Sequence, residues 1–149
     1  MTIEYAQPTD EIINDCFAVM YHEDCIEGLP DECRTASYFV NFVNYWKSGG
    51  EYVWLIRDSG KLPVGIFRAE LVGESDFMLH ASAIRSARGV ELLRMAEVAM
   101  SVVASRHLGK LRFEALIKEK TGAVGMARSL GMKFLQDEGD GYLLYEKEI

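Results

Sequence analysis

The run Phe77–Ile84, FMLHASAI, reads as a strand, and strand alternation sets Met78, His80, Ser82 and Ile84 on one face. Histidine as a residue type titrates in the useful range, and His80 stands beside Ser82, which makes it the first candidate for a general base. The plain alternative is a hydrogen-bonded strand histidine. Glu114, in RFEALI, is the carboxylate candidate for the same task, or else a solvated strand residue. Directly after FMLHASAI, the stretch AIRSARGVELL passes through Arg85, Arg88 and Gly89 into a long helical pattern. The first turn of a helix has amide groups without internal partners and the positive end of the dipole, so an anion is stabilised there. A glycine in such a turn lets the backbone approach that anion closely. The corner is therefore a candidate phosphate seat, or simply a helix start with an acidic first turn. His22, Cys25 and Cys33 can be drawn as a metal site, but no fourth ligand has convincing spacing, and packed thiols are the preferred reading.

These residues need elements to hold them. TIEYA is a short strand candidate. PTDEIINDCFAVMYHE opens on a Pro and a Thr or Asp cap and sets Ile12, Ile13, Phe17, Met20 and Tyr21 at helical spacing, until EGLP interrupts. DECRTASYFVNFVNYWKSGG predicts a second helix with a stripe of Tyr38, Phe39, Phe42, Val43 and Trp46, stopped by Gly49-Gly50. EYVWLIRD, PVGIFRAELVG and DFMLHASAI then form an antiparallel meander across short turns. VELLRMAEVAMSVVASRHLG follows, about five turns of helix, with a polar stripe of only Arg94, Glu97, Ser101 and Ser105; such a helix is expected to be covered on most sides. KLRFEALI returns to strand, TGAVGMARSLGM to helix, and KFLQDEGDGYLLYEKEI to a hairpin around Gly139–Gly141. Neither a linker nor a repeat interrupts the chain, so residues 1–149 read as one domain. The order β-α-α-β-β-β-α-β-α-β-β implies a mixed α/β fold. Its central sheet of six to seven strands, mostly antiparallel, would carry helices on both faces.

The 149 residues are 49% hydrophobic and 26% charged, as in an ordinary globular protein with room for a real core. A net charge of −7 argues against a nucleic-acid or anionic-membrane surface and suits a cationic amine partner. With neither a spanning run nor a secretion signal at the start, a cytoplasmic location is the expectation. Three cysteines without a Cys-x-x-Cys pair leave no basis for a disulfide framework.

The element order resembles the GNAT acyltransferase fold, whose members move an acyl group from acyl-CoA to an amine. FMLHASAIRSARGVELL is similar to the family's fourth strand and Arg-Gly-rich turn, with Arg88-Gly89 at the Arg-Gly pair. EALIKEKTGAVGMARSLGMKF is similar to its fifth strand, loop and helix ending in Leu-Gly-Phe, here Leu130-Gly131-Met132. The resemblance implies acetyl-CoA as cosubstrate and no metal. Coenzyme contacts would come from Ile84, Arg88, Gly89, Val90, Glu91 and Thr121, the last standing where many relatives have Asn and otherwise serving as a helix N-cap. It also implies pairing of two copies through the last strands, and an acceptor pocket near His22, Glu23 and Asp24, for which a solvated helix end is the preferred plain reading.

Three further positions depart from the family pattern. Counted from Arg88, Glu91 and Leu93 stand at the later glycine positions, and counted from Arg85 they are Arg88 and Val90. The Arg88 register fits the helix length to Gly109. Ala127 replaces the Tyr that is often the acid toward the leaving thiolate. These departures sustain an alternative, a GNAT-fold binding or assembly protein without catalysis, since compact chains of this kind are similar to some encoded by bacteriophages. Tyr142 and Tyr145 are expected to be packing residues.

Overall fold

The computed structural model describes residues 1–107 and 109–149. Seven strands are hydrogen-bonded neighbours in the order β1-β2-β3-β4-β5-β7-β6. They are β1 (Thr2–Tyr5), β2 (Glu51–Arg57), β3 (Pro63–Leu71), β4 (Asp76–Ala83), β5 (Arg112–Lys118), β6 (Lys133–Gly139) and β7 (Tyr142–Glu148). The helices are α1 (Asp10–Met20), α2 (Glu23–Ile26), α3 (Ala36–Lys47), α4 (Val90–Ser105) and α5 (Gly122–Ser129). β4 and β5 run parallel, Asp76–Leu79 beside Arg112–Ala115, while β1–β2, β5–β7 and β6–β7 are antiparallel. A parallel pair needs a crossover, and α4 supplies it. The fold is thus a mixed α/β arrangement with a mostly antiparallel open sheet, in the element order that the sequence implies apart from the short α2.

Local chemistry explains the boundaries. The Thr9 hydroxyl accepts the Ile12 amide to open α1, and Thr35 accepts that of Tyr38 to open α3. Two features were not legible as separate elements: α2, capped by the His22 ring, and the 3₁₀ turn Asp31–Arg34 ahead of α3. Residues 139–141 all take positive φ, which closes the β6–β7 hairpin.

The chain divides into two compact units, Met1–Arg68 with Ala81–Glu91, and Ala69–His80 with Leu92–Ile149. In the first, Cys16, Val19 and Met20 of α1 and Phe42, Val43 and Trp46 of α3 close on Val53, Leu55 and Ile66. Into this core projects an ion pair. Arg68 Nε and Nη2 each lie 2.8 Å from a Glu51 oxygen, Nη1 donates to the Tyr38 hydroxyl at 3.1 Å, and the guanidinium sits 3.9 Å from the Phe42 ring centre. Burial works against the Arg68 charge, but the bonds and charge of Glu51 outweigh it and leave the pKa raised.

In the second unit, Phe77, Leu79, Phe113, Ala115 and Tyr145 are buried on the strands and Ala96, Ala99, Met100 and Val103 on α4. Two expectations for α4 need correction. It ends at Ser105, because the Arg106 and His107 amides reach back only three residues, to Val103 and Ala104, and tighten the last turn. Leu108, placed in that helix from sequence, lies outside the described residues. Nor is α4 covered on most sides: Val90 and Val98 are 64% and 55% exposed and widen the polar stripe into an open face. No helix among the described residues is long and apolar enough to cross a membrane.

Candidate active site

The Arg-Gly corner is built from main-chain bonds. β4 ends at Ala83, Ile84 donates its amide to the Val64 carbonyl, and Arg85–Ala87 form a 3₁₀ turn closed by Ala87 N–H to Ile84 O and Arg88 N–H to Arg85 O. Gly89 then takes φ +127° and α4 begins at Val90. Gly89 is needed for conformation rather than for space, since a Cβ there would meet nothing within 4 Å.

The side chains of this corner bond within the protein. Arg88 turns back, donating from Nε to the Ala83 carbonyl at 2.9 Å and from Nη2 to the Asp24 carbonyl at 2.6 Å. The Asp24 carboxylate accepts the Arg85 amide at 2.9 Å. That bond is foremost in holding the Asp24 carboxyl below the usual carboxylate range; burial opposes it, and the His22, Arg85 and Arg88 charges assist. Of His22, Glu23 and Asp24, it is therefore Asp24 that meets the turn. Val90 and Glu91 are exposed at the start of α4.

His80 has a partner that sequence reading missed. Its Nε2 lies 2.9 Å from Glu70 Oε1, with both side chains partly exposed. A carboxylate only accepts, so this contact puts the ring proton on Nε2 and makes Nδ1 the basic nitrogen of the neutral ring. The hairpin register explains the meeting. Val72 N–H to Asp76 O and Ile84 N–H to Val64 O fit one register, in which Glu70 faces Met78 and lies diagonal to His80. The short GES turn was the available signal.

Glu114 is engaged elsewhere. Arg112 Nη2 holds it at 2.9 Å and also meets Asp76 at 3.3 Å, while Nη1 lies 3.7 Å from Glu146. The Glu114 and Asp76 charges in turn raise the Arg112 pKa. Glu114 thus stands in an ion-pair cluster that joins β4, β5 and β7 through Arg112. Ser82 is partly exposed on β4, two residues beyond His80.

No protein-family model matches the chain, and no curated protein matches it in sequence. Solved structures do match. A domain from Methanocaldococcus jannaschii superposes with a TM-score of 0.76 at 14% identity, with 99% of each chain covered. A GNAT-family acetyltransferase from Staphylococcus aureus gives 0.74 at 10%, again with 99% of each covered. A ribosomal-protein-alanine N-acetyltransferase from Brucella melitensis gives 0.67 at 18% over the whole of both chains. The chain has the GNAT fold.

Within that GNAT frame the remaining expected positions can be placed. Thr121 precedes α5 but does not cap it; its hydroxyl donates to the Lys118 carbonyl at 2.7 Å. Ala127 is buried in α5 and its carbonyl accepts the Met132 amide. Tyr145 is buried against the Phe134 ring, as a packing residue should be, and Tyr142 is partly exposed. Cys16, Cys25 and Cys33 are buried free thiols, and among the described residues there is no cluster suited to a metal ion. Gly89 adds no side chain at the corner where α4 begins, and a helix start of this kind suits an anion such as a coenzyme diphosphate. The diphosphate fits the side chains less well, because Arg88 is turned away and Glu91 adds negative charge.

Proposed function

We propose that this chain is an N-acyltransferase that moves an acetyl group from acetyl-CoA to an amine of a small molecule or protein. The observation that carries the reading is the 2.9 Å pairing of His80 with Glu70 on a GNAT fold. Bound acetyl-CoA supplies the acyl group as a thioester. The Gly89, Val90 and Glu91 amides would hold its diphosphate, beside Ile84. His80 takes the amine proton at Nδ1 as the C–N bond forms and the C–S bond breaks. Glu70 acts as a positioning residue that orients the ring and offsets its positive charge. Ala127 offers no proton to the departing sulfur, so that proton comes from His80 or from water. The net charge of −7 favours a cationic acceptor.

Acetyl-CoA titration with thermal unfolding tests the binding half: at a hundredfold excess over Kd, stability should rise by about 2.7 kcal/mol. With a panel of primary amines and free-thiol detection, His80→Ala should lower turnover by roughly a hundredfold or more. Glu70→Gln should lower it less and move the acid limb of the pH profile downward. An unchanged His80→Ala rate removes the histidine from the chemistry. A second reading, a GNAT-fold binding or assembly protein without catalysis, is favoured by the turned-back Arg88, by Glu91 and by Ala127. No stabilisation at millimolar acetyl-CoA selects it.

A further inference from the structure

The corner at Arg85–Gly89 is held by a segment that lies some sixty residues earlier in the chain. Two bonds of different kinds join α2 to it: the Asp24 carboxylate accepts the Arg85 amide at 2.9 Å, and Arg88 Nη2 donates to the Asp24 carbonyl. Arg88 Nε simultaneously ties back to Ala83, the last residue of β4. The Cys25 thiol is lodged in the same junction. Burial raises its pKa, against the charge and hydrogen bond of Arg88 and the Ala83 amide. On the α2 side, the Asp24 amide is itself fixed by His22 Nδ1 at 3.0 Å.

The amide count shows what this junction does. Ile84, Ala87 and Arg88 find main-chain acceptors within the strand and turn, whereas the Arg85 amide finds its acceptor in Asp24. Without that carboxylate, the first amide of the 3₁₀ turn loses its protein acceptor, and the Asp24 main-chain carbonyl, which remains, loses the neighbouring bond that holds it against Arg88.

We propose that Asp24 and Arg88 are positioning residues: together they dock α2 as a buttress and fix the shape of the turn that precedes α4. Arg88, the arginine of the Arg-Gly pair, holds the turn from behind instead of reaching for phosphate. The consequence for coenzyme rests on the acyltransferase reading above; the buttress itself does not. An aspartate that merely competed with phosphate would act in the opposite direction, so the sign of the effect separates the two.

Hydrogen exchange over residues 22–27 and 84–89 in the unliganded protein tests the buttress, with coenzyme A titration measured separately. Asp24→Ala and Arg88→Ala should each speed exchange in both segments by about tenfold or more. Asp24→Asn keeps an acceptor for the Arg85 amide and should stay within about threefold of the native rate. Unchanged exchange in Asp24→Ala overturns the inference, as does an Asn variant that behaves like the Ala variant. Coenzyme A should bind Asp24→Ala about tenfold more weakly than the native chain; tighter binding to both Asp24 variants overturns positioning in favour of competition. If native protein fails to bind coenzyme A while exchange responds as described, the buttress stands and the acyltransferase reading falls.

Discussion

At the scale of single residues, the chemistry depends on partners that strand pairing and loop docking bring together. His80 was visible as a titratable residue on one face of a strand, but Glu70 was not, because nothing in RAEL distinguishes it from a solvated strand glutamate. Arg88 was legible as the Arg of an Arg-Gly pair, and its direction was not, because its acceptor lies 64 positions away. The buried Arg68–Glu51 pair was equally hidden; GIFRAEL reads as a strand with one polar interruption. That pair yields a firm expectation. Removing one member leaves a charge buried without its counter-ion, so Arg68→Met should cost about 3–5 kcal/mol in urea unfolding. Arg68→Met combined with Glu51→Leu should recover most of the loss, since neither charge then needs a partner. A double variant no better than the single would show that the two side chains act independently.

At the scale of elements, period and punctuation were sufficient for most of the fold. The Phe42–Trp46 stripe, the 2-residue alternation of β4 and the glycines that close the last hairpin each correspond to one physical rule, and each element appears. Failures occurred where local pattern competes with tertiary context. α4 looked covered on most sides because its composition is apolar, yet Val90 and Val98 face outward; hydrophobicity states a preference for burial and the fold decides what covers it. The start of α4 depends on Gly89, which the sequence did mark. With φ at +127° and no neighbour in reach, replacement by alanine should introduce backbone strain but no clash. Gly89→Ala is therefore expected to destabilise the chain by roughly 1 kcal/mol or somewhat more, read as a lower urea midpoint at unchanged slope. A neutral outcome would mean that the turn relaxes to negative φ, and that the amides it presents have no fixed direction.

At the scale of the whole molecule, two groups with opposite shifts frame the stability of the chain against pH. Asp24 is depressed below its ordinary 3.8, so between its folded and unfolded values the unfolded state carries more protons. Its contribution is in place above about pH 4 and is lost as pH falls through the folded value. Cys16 moves the other way: burial pushes its thiol from 9.0 up to about 12, with Arg68 partly offsetting the shift. Between those values the folded state carries the extra proton, so stability declines as pH rises above about 9. Cys25 and Tyr21, both raised chiefly by burial, steepen the same limb. The expected profile is a plateau that falls at both ends, measured as urea midpoints from pH 3 to 10.5. Asp24→Asn should flatten the acid end alone and Cys16→Ala the alkaline end alone, because the two groups titrate far apart. An alkaline limb that survives Cys16→Ala unchanged would assign it to Cys25, Tyr21 or another group, and would imply that the core around α1 admits water more readily than its packing suggests.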